Sequence, residues 1–379
     1  MLRVPVKKLK KGMILAQSIF NHHGASYLVK GQPITTSYIQ QLEKLGIPTV
    51  TVTSADPNFQ LMPPEDIVAE ETRADAIEHV FEAFQETEHN GHLDVDMMEN
   101  VSEKIIFDII DRKANLVQLT DIRLHDTYTF GHSVNVAILA SMLGMLCHYT
   151  KRDLQILTLG ALLHDLGKIN IPEDILTKNT RLTNDEFNVI KAHPLSGAKR
   201  IHVMEHELPK SSILAAIASE HHEHIDGTGY PRGLKGDKIH RYAKIVAIAD
   251  VYDALTSERP YKKAYTPNIA HNIMCNITKG QFDPDLLKLF FNNVALYPEG
   301  TVLKTDYGFG IVKKSVFGKT ETPIIIVFAD LEGHHIEPYT LDLSQVEDGN
   351  KKIHLVIADN ELRHFIHTLS FDPSVYLQQ

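Results

Sequence analysis

The chain has 379 residues, with 38 Lys+Arg against 48 Asp+Glu for a formal charge of −10. A hydrophobic content of 43% and a charged content of 23% exclude wholesale disorder, and the acidic balance argues against nucleic acid or a membrane surface as partner. Cys147 and Cys275 cannot make a disulfide framework or a thiolate zinc site, and neither an apolar run of membrane length nor a signal peptide is evident, so a cytoplasmic protein is expected.

Residues 1–60 read as a small α+β N-terminal domain. Short β-branched or apolar runs at 2–6, 13–18, 26–29 and 49–53 are broken by Gly12, Gly24 and Gly31. Between them, residues 35–45 predict a helix ended by Gly46. Residues 61–115 read as a helical linker. Pro64-Glu65-Asp66 starts a charged helix over about 66–88, His89-Asn90-Gly91 breaks it, and a second helix runs over about 95–114. The first of these is expected to pack on its own domain, with pairing in a homodimer as the alternative.

Residues 116–295 are predicted to be almost wholly helical. Apolar residues recur at three- and four-residue spacing over 134–146, 154–166, 187–201, 213–217 and 243–255. Thr183 and Glu186 fit a capping box, and Gly167 stands where a C-cap would end the helix carrying His164 and Asp165. The glycine-rich stretch 227–240 is a loop too long for a mere connection, which points to function. Residues 296–379 switch to a small β domain, with runs at 300–303, 308–313, 324–328 and 353–357 and a barrel as one arrangement.

Histidine is over-used, at 22 residues. The helical region holds His132, His164-Asp165, His193, His221-His222 and Asp250, each in or beside a predicted helix. A bundle can bring such side chains to one point in its core. An imidazole and carboxylate set without thiolate suits iron, manganese, nickel or zinc. Two ions about 3.5–4 Å apart form the usual clamp for cleaving phosphoesters. Adjacent histidines also arise by chance, as His22-His23 and His334-His335 show. The placement of His164-Asp165 at the end of a very apolar helix argues otherwise, because buried polar groups there are costly unless paired or metal-bound. His193 precedes Pro194 within a helical pattern, which suggests a functional kink.

The segments LLHDLGKINIPEDIL, AHPLSGAKRI, HHEHIDGTGYPRGLKGDKI and AKIVAIADVYDALTSERPYKKA resemble the HD-GYP domain over about 180 residues, with the name motif intact at Gly229-Tyr230-Pro231. The resemblance implies a mainly α protein with an HD-type helical bundle that hydrolyses cyclic di-GMP to linear pGpG, and in some members on to GMP. His132, His164, Asp165, His193, His221, His222 and Asp250 match the family's ligands for divalent metal ions, with Asp165 bridging. Lys168 matches a catalytic lysine beside the metals. Tyr230 matches an aromatic wall, Asp253 a guanine-contacting carboxylate, and Arg259 and Lys262 phosphate contacts. Some members hold a third metal through a Glu four residues before the first histidine; here that position is Tyr128, so two ions are expected, iron or manganese first and nickel or zinc next. Two other readings stay open: an HD hydrolase of another cyclic dinucleotide or nucleotide, and an adaptor that binds cyclic di-GMP or docks diguanylate cyclases without turnover.

Overall fold

The structure, a computed structural model, describes residues 2–16, 18–20, 26–45, 47, 49–53, 67–112, 128–178, 180, 182–204, 206, 208, 210–257, 264–346 and 353–357. Strands β1 (Leu2–Pro5), β2 (Ile14–Leu15) and β5 (Thr49–Thr53) form an antiparallel sheet in the order β1-β5-β2, and β3 (Ile19–Phe20) pairs with β4 (Ser26–Leu28). Helix α1 (Thr36–Lys44) starts where Thr35 Oγ1 accepts the Tyr38 N–H at 3.2 Å and buries Leu42 against Leu15, Ile34, Val50 and Val52. The expected end of this helix at Gly46 lies outside the described residues.

The predicted charged helix begins later than its Pro-Glu-Asp signal, as α2 (Glu70–Asn90). Ile67 and Val68 bury ahead of it, and the Ala69 N–H is met by the Asp108 carboxylate at 2.8 Å rather than by a local cap. Gly91 ends the helix at φ 70° with its N–H on the Thr87 carbonyl. Helix α3 (Val95–Asp111) starts on Asp94, which accepts from Met97 N at 2.8 Å. Both helices bury an apolar face, Ile77, Val80 and Phe84 on one and Met98, Ile105 and Ile109 on the other, in the same core as the helices that follow.

That core is built around α4 (Tyr128–Leu146), whose Val134, Val136, Ala137, Leu139, Ala140 and Leu143 are all buried. A helix apolar on every side has no solvent face and must sit at the centre. Against it pack α5 (Lys151–Leu163) and α10 (Arg241–Thr256), α9 (Ser211–Glu220) lies on α5 and α10 behind them, and α6 (Glu173–Leu176), α7 (Asn184–Ile190), α8 (His193–Val203), α11 (Pro267–Asn272) and α12 (Pro284–Phe291) complete the bundle. The expected capping box holds: Thr183 Oγ1 accepts from Glu186 N at 3.2 Å, and Glu186 accepts from Thr183 N at 2.7 Å.

Two local expectations change. The pattern over 187–201 is two helices, and Pro194 occupies the first turn of α8, where it interrupts no backbone bond. His193 therefore opens a helix and does not mark a kink. Gly167 does not end α5 with a left-handed residue; it lies in the 3-10 turn Leu166–Asn170 that crosses α8. A Cβ there would stand 2.0 Å from the His193 carbonyl oxygen and 2.6 Å from Gly197 N. Gly167→Ala must push α8 away from the turn and should cost about 1–3 kcal/mol, the usual range for overpacking; a melting curve unchanged from wild type would contradict this contact.

The C-terminal sheet is an antiparallel array in the order β10-β6-β7-β8-β9, made of β6 (Val302–Thr305), β7 (Gly308–Lys314), β8 (Ile324–Ala329), β9 (His335–Asp342) and β10 (Ile353–Val356). Among the described residues β9 and β10 are edges, so the sheet is open and not the barrel considered above. Thr320 Oγ1 donates to the Phe291 carbonyl at 2.6 Å, fastening the β7–β8 loop to the end of α12.

Candidate metal centre

Three helix ends and the segment after α9 deliver the histidines. His132 lies in the second turn of α4, His164 follows α5, His193 opens α8, and His221-His222 follow α9. Asp165 comes from the start of the 3-10 turn and Asp250 from the middle of α10. All but His222 are buried, and His222 is partly so.

Three of the rings are aimed by a local bond from Nδ1 to a backbone carbonyl. His164 Nδ1 is 2.6 Å from the Ala161 carbonyl oxygen, His193 Nδ1 2.7 Å from that of Ile190, and His221 Nδ1 2.8 Å from that of Ala218. A carbonyl only accepts, so these three Nδ1 atoms carry protons, and in the tautomer this sets for the uncharged ring each would present a bare Nε2 inward. The Nε2 atoms of His193 and His221 face each other at 3.2 Å. His164 Nε2 and Asp165 Oδ1 are buried without a hydrogen-bond partner. Converging lone pairs and an orphaned carboxylate oxygen are unfavourable by themselves and are what a cation would satisfy.

Asp165 spans the arrangement. Its Oδ1 lies 3.3 Å from His193 Nε2 and 4.0 Å from His221 Nε2, while its Oδ2 lies 3.3 Å from His164 Nε2 and 3.7 Å from His132 Nε2. Asp250 Oδ1 is 3.1 Å from His132 Nε2, and its Oδ2 is 3.6 Å from His222 Nδ1. Ligand-type atoms thus converge in sets: His193, His221 and His222; His132, His164 and Asp250; and His164, Asp165 and His221. The donor set is nitrogen and oxygen only, which fits divalent iron, manganese, nickel or zinc.

Burial works to raise the Asp165 carboxyl, but the Lys168 ammonium and the neighbouring imidazoles outweigh it and hold it well below the usual carboxylate range. Asp250 is lowered in the same way, against burial, by His132 and His222. Burial also opposes charging His132, yet its bonds to Asp250 and Asp253 lift it to about 9. Burial and the adjoining imidazoles push His221 far down, and burial takes His222 to about 3. The surroundings thus favour a proton on His132 and disfavour one on His221 and His222.

Lys168 Nζ is 2.5 Å from Asp165 Oδ2 and remains partly exposed. The Tyr230 ring stacks on His222 at 4.8 Å between centroids, and Tyr230 N–H donates to the His222 carbonyl at 3.1 Å. Lys191 Nζ lies over both Tyr230 and Phe187. Gly229 is required for this packing, since a Cβ would stand 2.4 Å from His224 N and 2.5 Å from the His222 carbonyl oxygen.

Asp253, for which the resemblance implies a guanine contact, is 1% exposed and has both oxygens hydrogen-bonded. Oδ2 is bonded to His132 Nδ1 at 2.7 Å, and Oδ1 accepts from Asn135 Nδ2 at 2.9 Å and Ser257 Oγ at 3.0 Å. In this structure it orients the His132 ring. Arg259 and Lys262 lie outside the described residues, as does the Tyr128 side chain. Sequence reasoning missed Glu220 and Glu223. Glu220 accepts from Arg232 Nη2 and His240 N, each at 2.6 Å, and Glu223 accepts from Arg232 N at 2.7 Å and Leu234 N at 2.9 Å. These carboxylates flank His221-His222 and pin the glycine-rich loop over the centre; the available signal was their position beside the histidine pair. Arg232 is thereby committed to the loop.

A helical bundle with a His-Asp pair at its heart is the pattern of one known class: residues 107–286 match the family model described as HD domain. With the Gly229-Tyr230-Pro231 loop stacked on that centre, this part of the chain is similar to HD-GYP domain proteins. A cyclic di-GMP phosphodiesterase of Pseudomonas aeruginosa is 32% identical over 250 residues, 66% of this chain and 59% of that protein. Another, of Vibrio cholerae, is 42% identical over 144 residues, 37% of this chain and 29% of that protein. The chain thus spans less than two thirds of the length of these relatives. Among solved structures, an HDG"Y"P protein from Bdellovibrio bacteriovorus shares the fold at TM-score 0.51 and 19% identity, covering 76% of this chain and 97% of that one. No described helix is long and apolar enough to cross a membrane.

Proposed function

We propose that this chain is a metal-dependent phosphodiesterase that hydrolyses cyclic di-GMP to linear pGpG. The observation that carries the reading is the convergence of bare Nε2 atoms from His164, His193 and His221 on the two oxygens of Asp165. His193, His221 and His222 would hold one divalent ion, His132, His164 and Asp250 the other, and Asp165 would bridge them. Iron or manganese is the preferred pair. Bound divalent cations supply Lewis acidity toward water and toward the phosphodiester.

The chain's own groups do the rest. Hydrolysis adds water across one P–O3′ bond: a new P–O bond forms, the P–O3′ bond breaks, and the 3′ oxygen leaves with a proton. Lys168, anchored on Asp165 with its head partly exposed, is placed to donate a charge-assisted hydrogen bond to a phosphoryl oxygen. Tyr230, held against His222 by both backbone and ring, walls the site and excludes water. Arg259 and Lys262 are proposed phosphate contacts. The substrate reading is supported by relatives named cyclic di-GMP phosphodiesterases at 32–42% identity, while others at 34–35% identity are named 3′3′-cGAMP-specific phosphodiesterases and make cyclic GMP-AMP the competing substrate.

Anaerobic purification with elemental analysis, followed by assays on a nucleotide panel with each metal restored, tests the proposal. Two ions per chain are expected, with cyclic di-GMP cleaved at least about tenfold faster than cyclic GMP-AMP, a difference within reach of hydrogen-bond discrimination at the base. Faster cleavage of cyclic GMP-AMP or of a mononucleotide would refute the substrate, and three ions per chain would refute the two-ion centre.

A further inference from the structure

Arg73 is 2% exposed on α2, facing a core that is otherwise largely apolar. A guanidinium so placed is costly unless its donors are met. Its Nη1 donates to Asn135 Oδ1 at 2.5 Å, Asn135 Nδ2 donates to Asp253 Oδ1 at 2.9 Å, and Asp253 Oδ2 is bonded to His132 Nδ1 at 2.7 Å. Chemistry fixes the direction of this chain. A guanidinium can only donate and an ionised carboxylate can only accept, so Asn135 must turn its oxygen to Arg73 and its amide to Asp253.

The contrast with the other rings is informative. His164, His193 and His221 are each aimed by the carbonyl three residues earlier, a local bond that their own helices supply. His132 alone among these four is aimed by a carboxylate from a distant element. Its support reaches across α4 and α10 to α2. One turn before Arg73, Glu70 accepts from Ser18 N at 2.7 Å and Ser18 Oγ at 3.0 Å, and Ser18 Oγ accepts from Lys30 N at 3.0 Å. The N-terminal domain is therefore clasped by the same helix.

We propose that Arg73 is a positioning residue for His132, acting through Asn135 and Asp253, and that α2 thereby ties the N-terminal domain to the ion site of His132, His164 and Asp250. The inference rests on the two-ion reading of the centre. Remote support of this kind tunes ligand orientation and typically changes metal affinity about 10–100-fold.

The test reads metal binding directly, on the full chain, by Mn²⁺ titration with electron paramagnetic resonance and chelator competition. Wild type must bind two ions; fewer would refute the two-ion reading itself. His132→Ala identifies which of the two belongs to the His132 site. Arg73→Met is expected to weaken that ion about 10–100-fold and leave the other unchanged, with Arg73→Lys recovering part of the loss. Equal weakening of both ions, as a general loosening of the core would give, or no weakening of either, overturns the positioning role. If Arg73→Met does not fold, Asn135→Ser cuts the relay at its middle and is judged by the same two outcomes. Glu70→Ala, which frees Ser18, should weaken the same ion by a smaller factor; an unchanged titration there overturns the link to the N-terminal domain.

Discussion

Asp165→Ala is expected to lower turnover of cyclic di-GMP by at least about 10³-fold, the upper end of what removal of one electrostatic group costs, and to reduce the bound ions from two to at most one. Asp165 faces both histidine sets with its two oxygens, Oδ1 toward His193 and His221 and Oδ2 toward His164 and His132. Its loss also releases the Lys168 ammonium from its anchor. The fold should survive, because the apolar residues of α5 that build the core, Leu157, Leu159, Leu162 and Leu163, are untouched. Elemental analysis, circular dichroism and the hydrolysis assay together check this. Unaltered hydrolysis in the variant would sink the metal mechanism. His224→Ala is the matching control: its Nδ1 bonds to Thr228 Oγ1 at 2.9 Å, outside the convergent sets, and its ion content should equal that of wild type.

The proposed ligands His164, His193 and His221 were legible in the sequence because each sits in a short segment that resembles the family motif and whose local structure suffices to aim the ring. His164, His193 and His221 bond to carbonyls three residues back, so their helix-terminal positions already imply where the ring points. Asp253 could not be read this way. Three residues from Asp250 on a helix means the same face, but not which partner that face meets, and its partner His132 is 121 residues away. Residues 61–115 were read as a linker because their charged composition dominates the pattern. The apolar stripe of Ile77, Val80, Ala83 and Phe84 nevertheless joins the central core, and the buried Arg73 among those charges meets a tertiary partner, Asn135. Strand β9 was missed for a related reason. Its sequence HIEPYTLD is mostly solvent-facing and carries Pro338, a pattern that argues against a central strand and is tolerated at the sheet edge where it lies.

Metal affinity should rise with pH, about tenfold per unit up to about pH 9, for the ion held by His132. A ligand must be deprotonated to bind, and in the metal-free protein His132 keeps its proton up to about 9 because Asp250 and Asp253 outweigh the cost of burial. Chelator-competition titrations between pH 6.5 and 9, repeated in buffers of different ionisation enthalpy, should show one proton released per ion at that site. The His221 and His222 side, already neutral, should show no such slope over this range. Stability carries the opposite sign. A group whose folded pKa is raised contributes fully below its unfolded value near 6.5 and loses that contribution as pH climbs through about 9. The metal-free protein should therefore lose up to about 3 kcal/mol across that window, from a shift of about 2.5 units at 1.36 kcal/mol each. The depressed Asp165 and Asp250 act at the other end, stabilising above the ordinary carboxylate range and failing only as the solution becomes strongly acidic. Metal loading should reverse the alkaline slope, since tighter binding adds stability as the proton leaves. Parallel melting curves of metal-free and loaded protein from pH 6.5 to 9 should diverge, and curves that stay parallel would mean that His132 neither holds the proton nor receives the ion.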